Sequence, residues 1–362
     1  MKRCKKCILP ETIPFIEFDD DGVCNYCKYE ANQPVLLPGK ERFDEFIDYY
    51  RQEKKRRNSK YHCIVPMSGG RDSSYVAWKM VREYGLDVLC VNYANPFTSE
   101  QAKINMRKLS EKLGVEIVQY RFRPGLHEAG FARNLEIWLR NPSLATVNML
   151  CLPCKPFYWE IFRIARRNRV GLIIDGSNPY EVTSFKNDAV GGFATKALYS
   201  RTAIMNFIKN VLKRSSYINP RNIESMLKVF LVMDGNTPFL RRFYSGTRKT
   251  ALFYWIPYDE KEIERVLYSE LGWEKSKDNE SPWRFDCEID SIKNFCFKKL
   301  INATEKDDLF SRNIRAGLMA RDEAMKRIEM EGKINLSIVD RVLSKAGKDR
   351  SIFGLSEKEL YY

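Results

Sequence analysis

Histidine is almost missing from this sequence: His62 and His127 are the only two. Neither sits in a pattern that marks a general base, and His62 falls where a strand would bury it. Long apolar runs are missing as well, so no segment reaches membrane-spanning length. The amino-terminal MKRCKKCILPETIPF is basic but carries neither a long apolar core nor a small-residue cleavage site, so a secretory signal is not expected. Two common nucleotide fingerprints, GxxxxGK[ST] and GxGxxG, do not occur. No segment reads as a glutaminase. A disordered or collagen-like chain is excluded by 44% hydrophobic and 30% charged residues over 362 positions, enough for two or three compact units.

Charge of one sign is in excess. The chain carries +14, from 61 basic and 47 acidic residues. Residues 34–250 hold 36 basic and 19 acidic residues, and their +17 accounts for the whole excess. Such a field suits nucleic acid, an acidic membrane surface or phosphorylated small molecules, or it is a solvated basic face.

Six of the ten cysteines form three CxxC pairs. In a chain without a secretion signal, metal or redox chemistry is the expectation rather than disulfides, and the expected compartment is the cytoplasm. Cys4, Cys7, Cys24 and Cys27 lie within 24 residues, spaced for a tetrahedral S4 zinc site. The intervening ILPETIPFIEFDDDGV alternates into a turn, which predicts a short hairpin and a zinc ribbon over 1–33. Four thiolates leave no open position, so the expected role of Zn2+ is structural. It would supply most of the folding energy of so small a unit. Cys63 and Cys90 lie in apolar runs and are expected to be buried and inert.

A basic helical linker is expected over 34–60, an ATP-binding domain over 61–250 and a mostly helical region over 251–362. Tyr61–Pro66 reads as a strand, Ser68-Gly69-Gly70-Arg71-Asp72-Ser73 as a small flexible turn, and 74–84 as a helix. A Gly-rich turn between a strand and a helix amino terminus is an anion site, because bare N–H groups and the helix dipole face the ligand. Further strands at 87–92, 115–122 and 170–175 alternate with helices at 99–113 and 157–167. The pattern predicts an α/β fold with a doubly wound parallel sheet. Ligands in such sheets bind at the carboxyl ends of strands, which gathers 68–73, Asn92, Tyr93, Gly176 and Asn178 around one cleft. Helical spacing also runs through 311–331.

SGG-x-DS after a strand resembles the PP-loop of the ATP pyrophosphatase family, with Arg71 where members usually carry Lys. The resemblance implies a Rossmann-like sheet of the PP-loop (HUP) type. It also implies ATP cleaved between its α and β phosphates, and Mg2+ bridging phosphates near Asp72. Ser68, Arg71 and Asp72 become the expected catalytic set. Ser68–Ser73, Asn92, Tyr93, Gly176 and Asn178 become the expected ATP contacts.

Cys151 and Cys154, in CLPCKPF, precede a helix whose amino terminus lowers thiol pKa values. Cys287 is the expected third ligand, ahead of Cys296. Some PP-loop tRNA-thiolating enzymes have a CxxC at this point, with one distant cysteine, holding a [4Fe-4S] cluster. A cluster, a second metal and a turn without metal are all open.

The ribbon, CIVPMSGGRDSSY, CLPCKPFYWEI, IIDGSNPYE and FSRNIRAGLMARDEAMKRIE occur in that order. Together they resemble the N-acetyl sugar amidotransferases of bacterial lipopolysaccharide, O-antigen and nonulosonic-acid pathways. That resemblance implies adenylation of the acetamido oxygen of a nucleotide sugar, then its replacement by ammonia nitrogen with release of AMP and pyrophosphate. Ammonia would come from a separate glutaminase subunit, in some systems with a cyclase-like channel protein. The carboxyl-terminal helices would cover the cleft or form a homodimer surface. A PP-loop tRNA-thiolating enzyme is the alternative. Nucleic acid and membrane are not expected as partners under the first reading.

Overall fold

The structure, a computed structural model, describes residues 1–31, 37–181, 184–193, 201–232, 235 and 237–354. Its centre is a five-stranded sheet in which every pairing is parallel. The strands are β1 (Cys63–Pro66), β2 (Val88–Tyr93), β3 (Glu116–Tyr120), β4 (Leu172–Asp175) and β5 (Arg248–Ala251), in the order β3-β2-β1-β4-β5. β1 to β4 are the four strands expected from apolar runs. The fifth, Arg-Lys-Thr-Ala, has no apolar run and pairs by backbone register, Leu172 opposite Arg248. The expected division at residue 250 falls inside it.

The helices are α1 (Asn25–Ala31), α2 (Lys40–Arg56), α3 (Arg71–Trp78), α4 (Glu100–Leu113), α5 (Leu126–Arg140), α6 (Phe157–Arg167), α7 (Ser184–Gly191), α8 (Arg201–Leu212), α9 (Pro220–Val232), α10 (Pro238–Phe243), α11 (Glu260–Val266), α12 (Ile289–Ile301), α13 (Glu305–Arg315), α14 (Arg321–Glu331) and α15 (Leu336–Lys345). Both faces of β1 and β2 are covered. Val65, Cys63 and Cys90 join Val76, Met80 and Leu267 on one side, and Ile64, Leu89 and Val91 join Ile161 and Phe162 on the other. Strands buried on both faces read as continuous apolar runs, which is why they were visible in sequence. Burial pushes the Cys90 thiol up to about 12, in keeping with an inert core cysteine.

α4 is set by local chemistry at both ends. The Ser99 hydroxyl accepts the Ala102 N–H, and Gly114 closes the helix in the left-handed region. The helical stretch expected over 311–331 is two helices, α13 and α14. Gly317, at φ +74°, breaks it between them. α13 begins with a capping box between Thr304 and Asp307.

The amino-terminal unit carries isolated antiparallel bridges, Arg3 with Pro10 and Phe18 with Cys24, where a hairpin ladder was expected. Nor does it stand alone. Its four cysteines share a core with Phe97, Phe131 and Ile289. Arg321 donates to the carbonyls of Cys7 (3.0 Å) and Cys4 (3.2 Å), and Arg315 pairs with Glu30 at 2.6 Å. Packing against α12 to α14 therefore shares with the metal the stabilisation of this unit. No described helix is long and apolar enough to cross a membrane.

Candidate functional site: a glycine loop, a cavity and two cysteine groups

The sheet order reverses direction between β1 and β4, and the loops after these strands flank that switch point. After β1, the chain turns through Ser68-Gly69-Gly70 into α3. Gly69 adopts φ +80°, and a Cβ there would lie 2.1 Å from the Ala102 carbonyl oxygen. Only glycine fits. The Ser68 hydroxyl accepts the Gly70 N–H at 3.3 Å and lies 3.0 Å from the Ser73 hydroxyl, so the two serines tie the loop across its mouth. After β4, Gly176 passes so close to Asp72 that a Cβ would meet its carbonyl carbon at 2.8 Å.

A cavity of about 180 Å3 opens here. Ser68, Gly70, Arg71, Asp72, Ser73 and Gly176 line it together with Glu181, Pro282, Trp283, Arg284 and Asp286. The carboxyl-terminal half thus covers the cleft. Its segment 286–288 is held there by backbone pairing with the residues after β2: Ser99 N–H to Asp286 carbonyl, 3.1 Å, and Glu288 N–H to Phe97 carbonyl, 2.9 Å.

The expected site residues divide. Ser68, Gly70, Arg71, Asp72, Ser73 and Gly176 line the cavity; Gly69 shapes the loop from behind. Asn92, Tyr93 and Asn178 are outside its lining. Asn92 donates to the Met67 carbonyl at 2.7 Å. Tyr93 stacks on Phe157 and lies 2.8 Å from His127 Nδ1. Asn178 is buried with its Nδ2 lacking a hydrogen-bond partner among the described residues. Burial lowers His127 to about 4, so its imidazole is neutral.

Arg71 is engaged otherwise than a free phosphate ligand. Its guanidinium is buried and bonded to Asp72 (Nε to Oδ1, 2.9 Å), to Glu260, to Glu264 at 3.5 Å and to the Tyr258 hydroxyl. Arg327, from α14, clamps the same Glu260 at 2.9 and 3.2 Å. Burial pushes the Glu260 carboxyl up, but the two guanidiniums outweigh it and hold it at about 2. The loop is braced to α11 and α14 through this network.

The two cysteine groups differ in geometry. Cys4, Cys7, Cys24 and Cys27 are buried with their sulfurs within 4.8 Å of one another, the Cys4 to Cys27 and Cys7 to Cys24 separations being 3.8 and 3.7 Å. A tetrahedron of Zn–S bonds of about 2.3 Å has an edge of about 3.8 Å. The residues fit a metal. Backbone N–H groups of Cys7 (3.4 Å) and Cys24 (3.2 Å) also point at Cys4 Sγ, which favours thiolate.

Cys151 and Cys154 lie in a 3-10 stretch (Leu144–Cys154) just before α6; burial raises the Cys287 thiol, and the charges of Cys151 and Cys154 add to that rise. Among the described residues these three do not form a set as tight as the first four. The helix-terminal lowering expected for this pair is not what the structure has at Cys154. Burial pushes that thiol up to about 11 against the opposing Lys155. Asn95 donates to Cys287 Sγ at 3.3 Å. Cys296 is buried within α12.

The residues not foreseen are Glu181, Arg284, Asp286, Tyr258 and Glu260. Glu181 ends the IIDGSNPYE stretch, and Asp286 directly precedes Cys287. Nothing local signals Tyr258 or Glu260, whose partner Arg71 is more than 180 residues away.

No protein-family model matches the chain. An uncharacterized protein of Methanocaldococcus jannaschii, MJ1599, is 26% identical over 118 residues, 32% of this chain. The chain spans 41% of the length of that relative. A solved structure, the U34-tRNA thiolase NcsA from Methanococcus maripaludis with its [4Fe-4S] cluster, aligns over 92% of this chain and 91% of its own at 14% identity and a TM-score of 0.33. What stands on the geometry is an α/β protein with a parallel sheet, an amino-terminal four-cysteine metal site and a helical carboxyl-terminal region.

Proposed function

We propose that this chain is an ATP-dependent enzyme of the PP-loop kind, which cleaves ATP between its α and β phosphates and adenylates an acceptor oxygen. The observation that carries the reading is the Ser68–Ser73 loop at the switch point of the sheet, with Gly69 fixed at φ +80° and a cavity in front of it. Loop N–H groups and the start of α3 would stabilise charge developing on pyrophosphate. Mg2+ would neutralise the phosphates.

Two acceptor chemistries share this step. Thiolation of tRNA is favoured by the grouping of Cys151 and Cys154 with Cys287, which follows the cavity residue Asp286 in the chain. Three thiolates suit a [4Fe-4S] cluster and leave one iron without a protein ligand, a place for incoming sulfur. The +17 of residues 34–250 suits a polyanion. Amidation of an acetamido nucleotide sugar is the second reading. In its favour, two stretches of the sugar-enzyme resemblance converge here: NPYE supplies Glu181 to the cavity, and the α14 stretch supplies Arg327 to the Arg71 network. A glutaminase partner and a homodimer belong to that reading.

One experiment separates the two. Protein purified without air is given ATP with unmodified tRNA and sulfide, or with ammonium and a panel of acetamido nucleotide sugars. Thiolation makes a nucleoside heavier by about sixteen daltons; amidation makes a sugar lighter by about one. AMP formed in neither reaction would refute the proposal.

A further inference from the structure

We propose that Glu181 is the base of this cleft, taking the N–H proton of an amide or lactam acceptor as that acceptor's carbonyl oxygen attacks the α-phosphorus of ATP. The inference rests on the adenylation reading above, and it names the acceptor class: a carbonyl carbon bonded to N–H.

The geometry comes first. Glu181 lines the cavity together with Ser68, Asp72 and Ser73. Trp283 Nε1 donates to its Oε1 at 2.5 Å and fixes the carboxyl, while Oε2 has no hydrogen-bond partner among the described residues. The other cavity carboxylates are placed differently. Asp72 accepts from Arg71 and from the Tyr258 hydroxyl (3.2 Å), and Asp286 lies against the loop backbone, where a Cβ on Gly70 would meet its carboxyl carbon at 3.2 Å. His127, neutral and stacked on Tyr93, is not among the lining residues.

The surroundings set its basicity. The charged and titratable groups that act on Glu181, or that it acts on, are Asp72, Arg71, Arg284, Tyr254 and Tyr258. Burial, with the Asp72 charge adding to it, raises its carboxyl to about 7, against the opposing pull of Arg284. A base titrating near neutrality is both present in its reactive form and strong enough to accept a proton.

The chemistry then requires it. An amide oxygen that attacks phosphorus while its nitrogen keeps the proton gives a cation. Removing the proton makes the product neutral. The oxygen forms a new bond to the α-phosphorus, and the N–H electron pair becomes the C=N bond. The bond from the α-phosphorus to the bridging oxygen breaks with its pair on pyrophosphate, and the proton ends on Glu181. An O-adenylyl imidate, pyrophosphate and a protonated carboxyl account for every atom. The step is common to an acetamido sugar and to a nucleobase lactam.

The test is acceptor-dependent ATP–pyrophosphate exchange by the full chain between about pH 5 and 9, with ATP affinity measured separately by calorimetry. Wild-type exchange should rise with pH through about 7. Glu181→Gln should lose about a hundredfold or more with ATP affinity held within about threefold, and Glu181→Asp should recover part. On the wild-type protein, an acceptor N-methylated at the amide nitrogen should support no exchange. Exchange by Glu181→Gln within threefold of wild type, or by the N-methylated acceptor, would overturn the proposal while leaving the adenylation reading intact. A wild-type chain that binds no ATP and exchanges with neither acceptor class would overturn both.

Discussion

Replacing Arg71 by methionine tests whether the loop is braced from behind. The guanidinium is 4% exposed and its partner Glu260 20%, so solvent screens the pair little. Removing one member of a buried pair costs about 3–5 kcal/mol. The drop of Glu260 from 4.5 to about 2 is an independent gauge; at about 1.4 kcal/mol per unit it represents about 3 kcal/mol from all its partners. Arg327 remains on Glu260 in the variant, through two hydrogen bonds, and retains about half of that. Asp72 and the Tyr258 hydroxyl lose their donor too. Methionine fills most of the alkyl volume, so the cavity contribution is small. Urea unfolding at neutral pH should show a loss of about 3 kcal/mol. Because Glu260 is depressed in the folded state, its contribution is complete above its ordinary value of 4.5 and is lost as pH falls towards 2. The gap between wild type and variant should therefore narrow on acidification. ATP affinity of the folded variant should stay within about tenfold, since the guanidinium is bonded to carboxylates. Unchanged stability with a hundredfold loss of ATP affinity would refute the brace and make Arg71 a phosphate ligand.

Gly69→Ala should destroy ATP binding, because left-handed backbone costs about 1–2 kcal/mol and the new Cβ collides with the Ala102 carbonyl; calorimetry showing wild-type affinity would refute the loop geometry. Chelation, or Cys7→Ser, should lower the melting temperature of the whole chain rather than melt a separate unit, since Arg321 and Arg315 tie the cysteine site to the carboxyl-terminal helices. A separate low-temperature transition would contradict that docking. Cys154→Ser or Cys287→Ser should remove iron and visible absorbance from air-free protein with zinc unchanged, whereas equal iron in both variants would exclude a cluster there. Burial lowers His127 from 6.5 to about 4, so its contribution is complete above 6.5 and is lost as pH falls to 4. His127→Asn should flatten stability across that window, as read by urea titration, and an unaltered slope would place the titration elsewhere.

The parts of this fold that were readable in sequence are those where chemistry is local. β1, β2 and β4 are buried on both faces and appear as apolar runs, and the loop after β1 declares itself through its glycines. β5 was invisible because Arg248 to Ala251 is a polar edge strand held by backbone pairing to β4. The break between α13 and α14 lay in Gly317, which helical spacing of the flanking apolar residues overrode. At the site, residues contributed by the loop and by Gly176 were legible. Glu181, Arg284 and Asp286 were not, since only the pairing of 286–288 with 97–99 carries the last two over the cavity. Arg71 stands where the PP-loops that this stretch resembles usually carry Lys. Glu260 and Tyr258, distant in sequence, show that its guanidinium is engaged by protein groups.

The central claim is that the Ser68–Ser73 loop serves cleavage of ATP at its α-phosphorus. Phosphorus NMR of the products, with ATP, Mg2+ and each acceptor mixture in turn, measures this directly. The account predicts AMP and pyrophosphate, formed only with a reacting acceptor and lost in Gly69→Ala. ADP with inorganic phosphate, or product formation undiminished by Gly69→Ala, would contradict it.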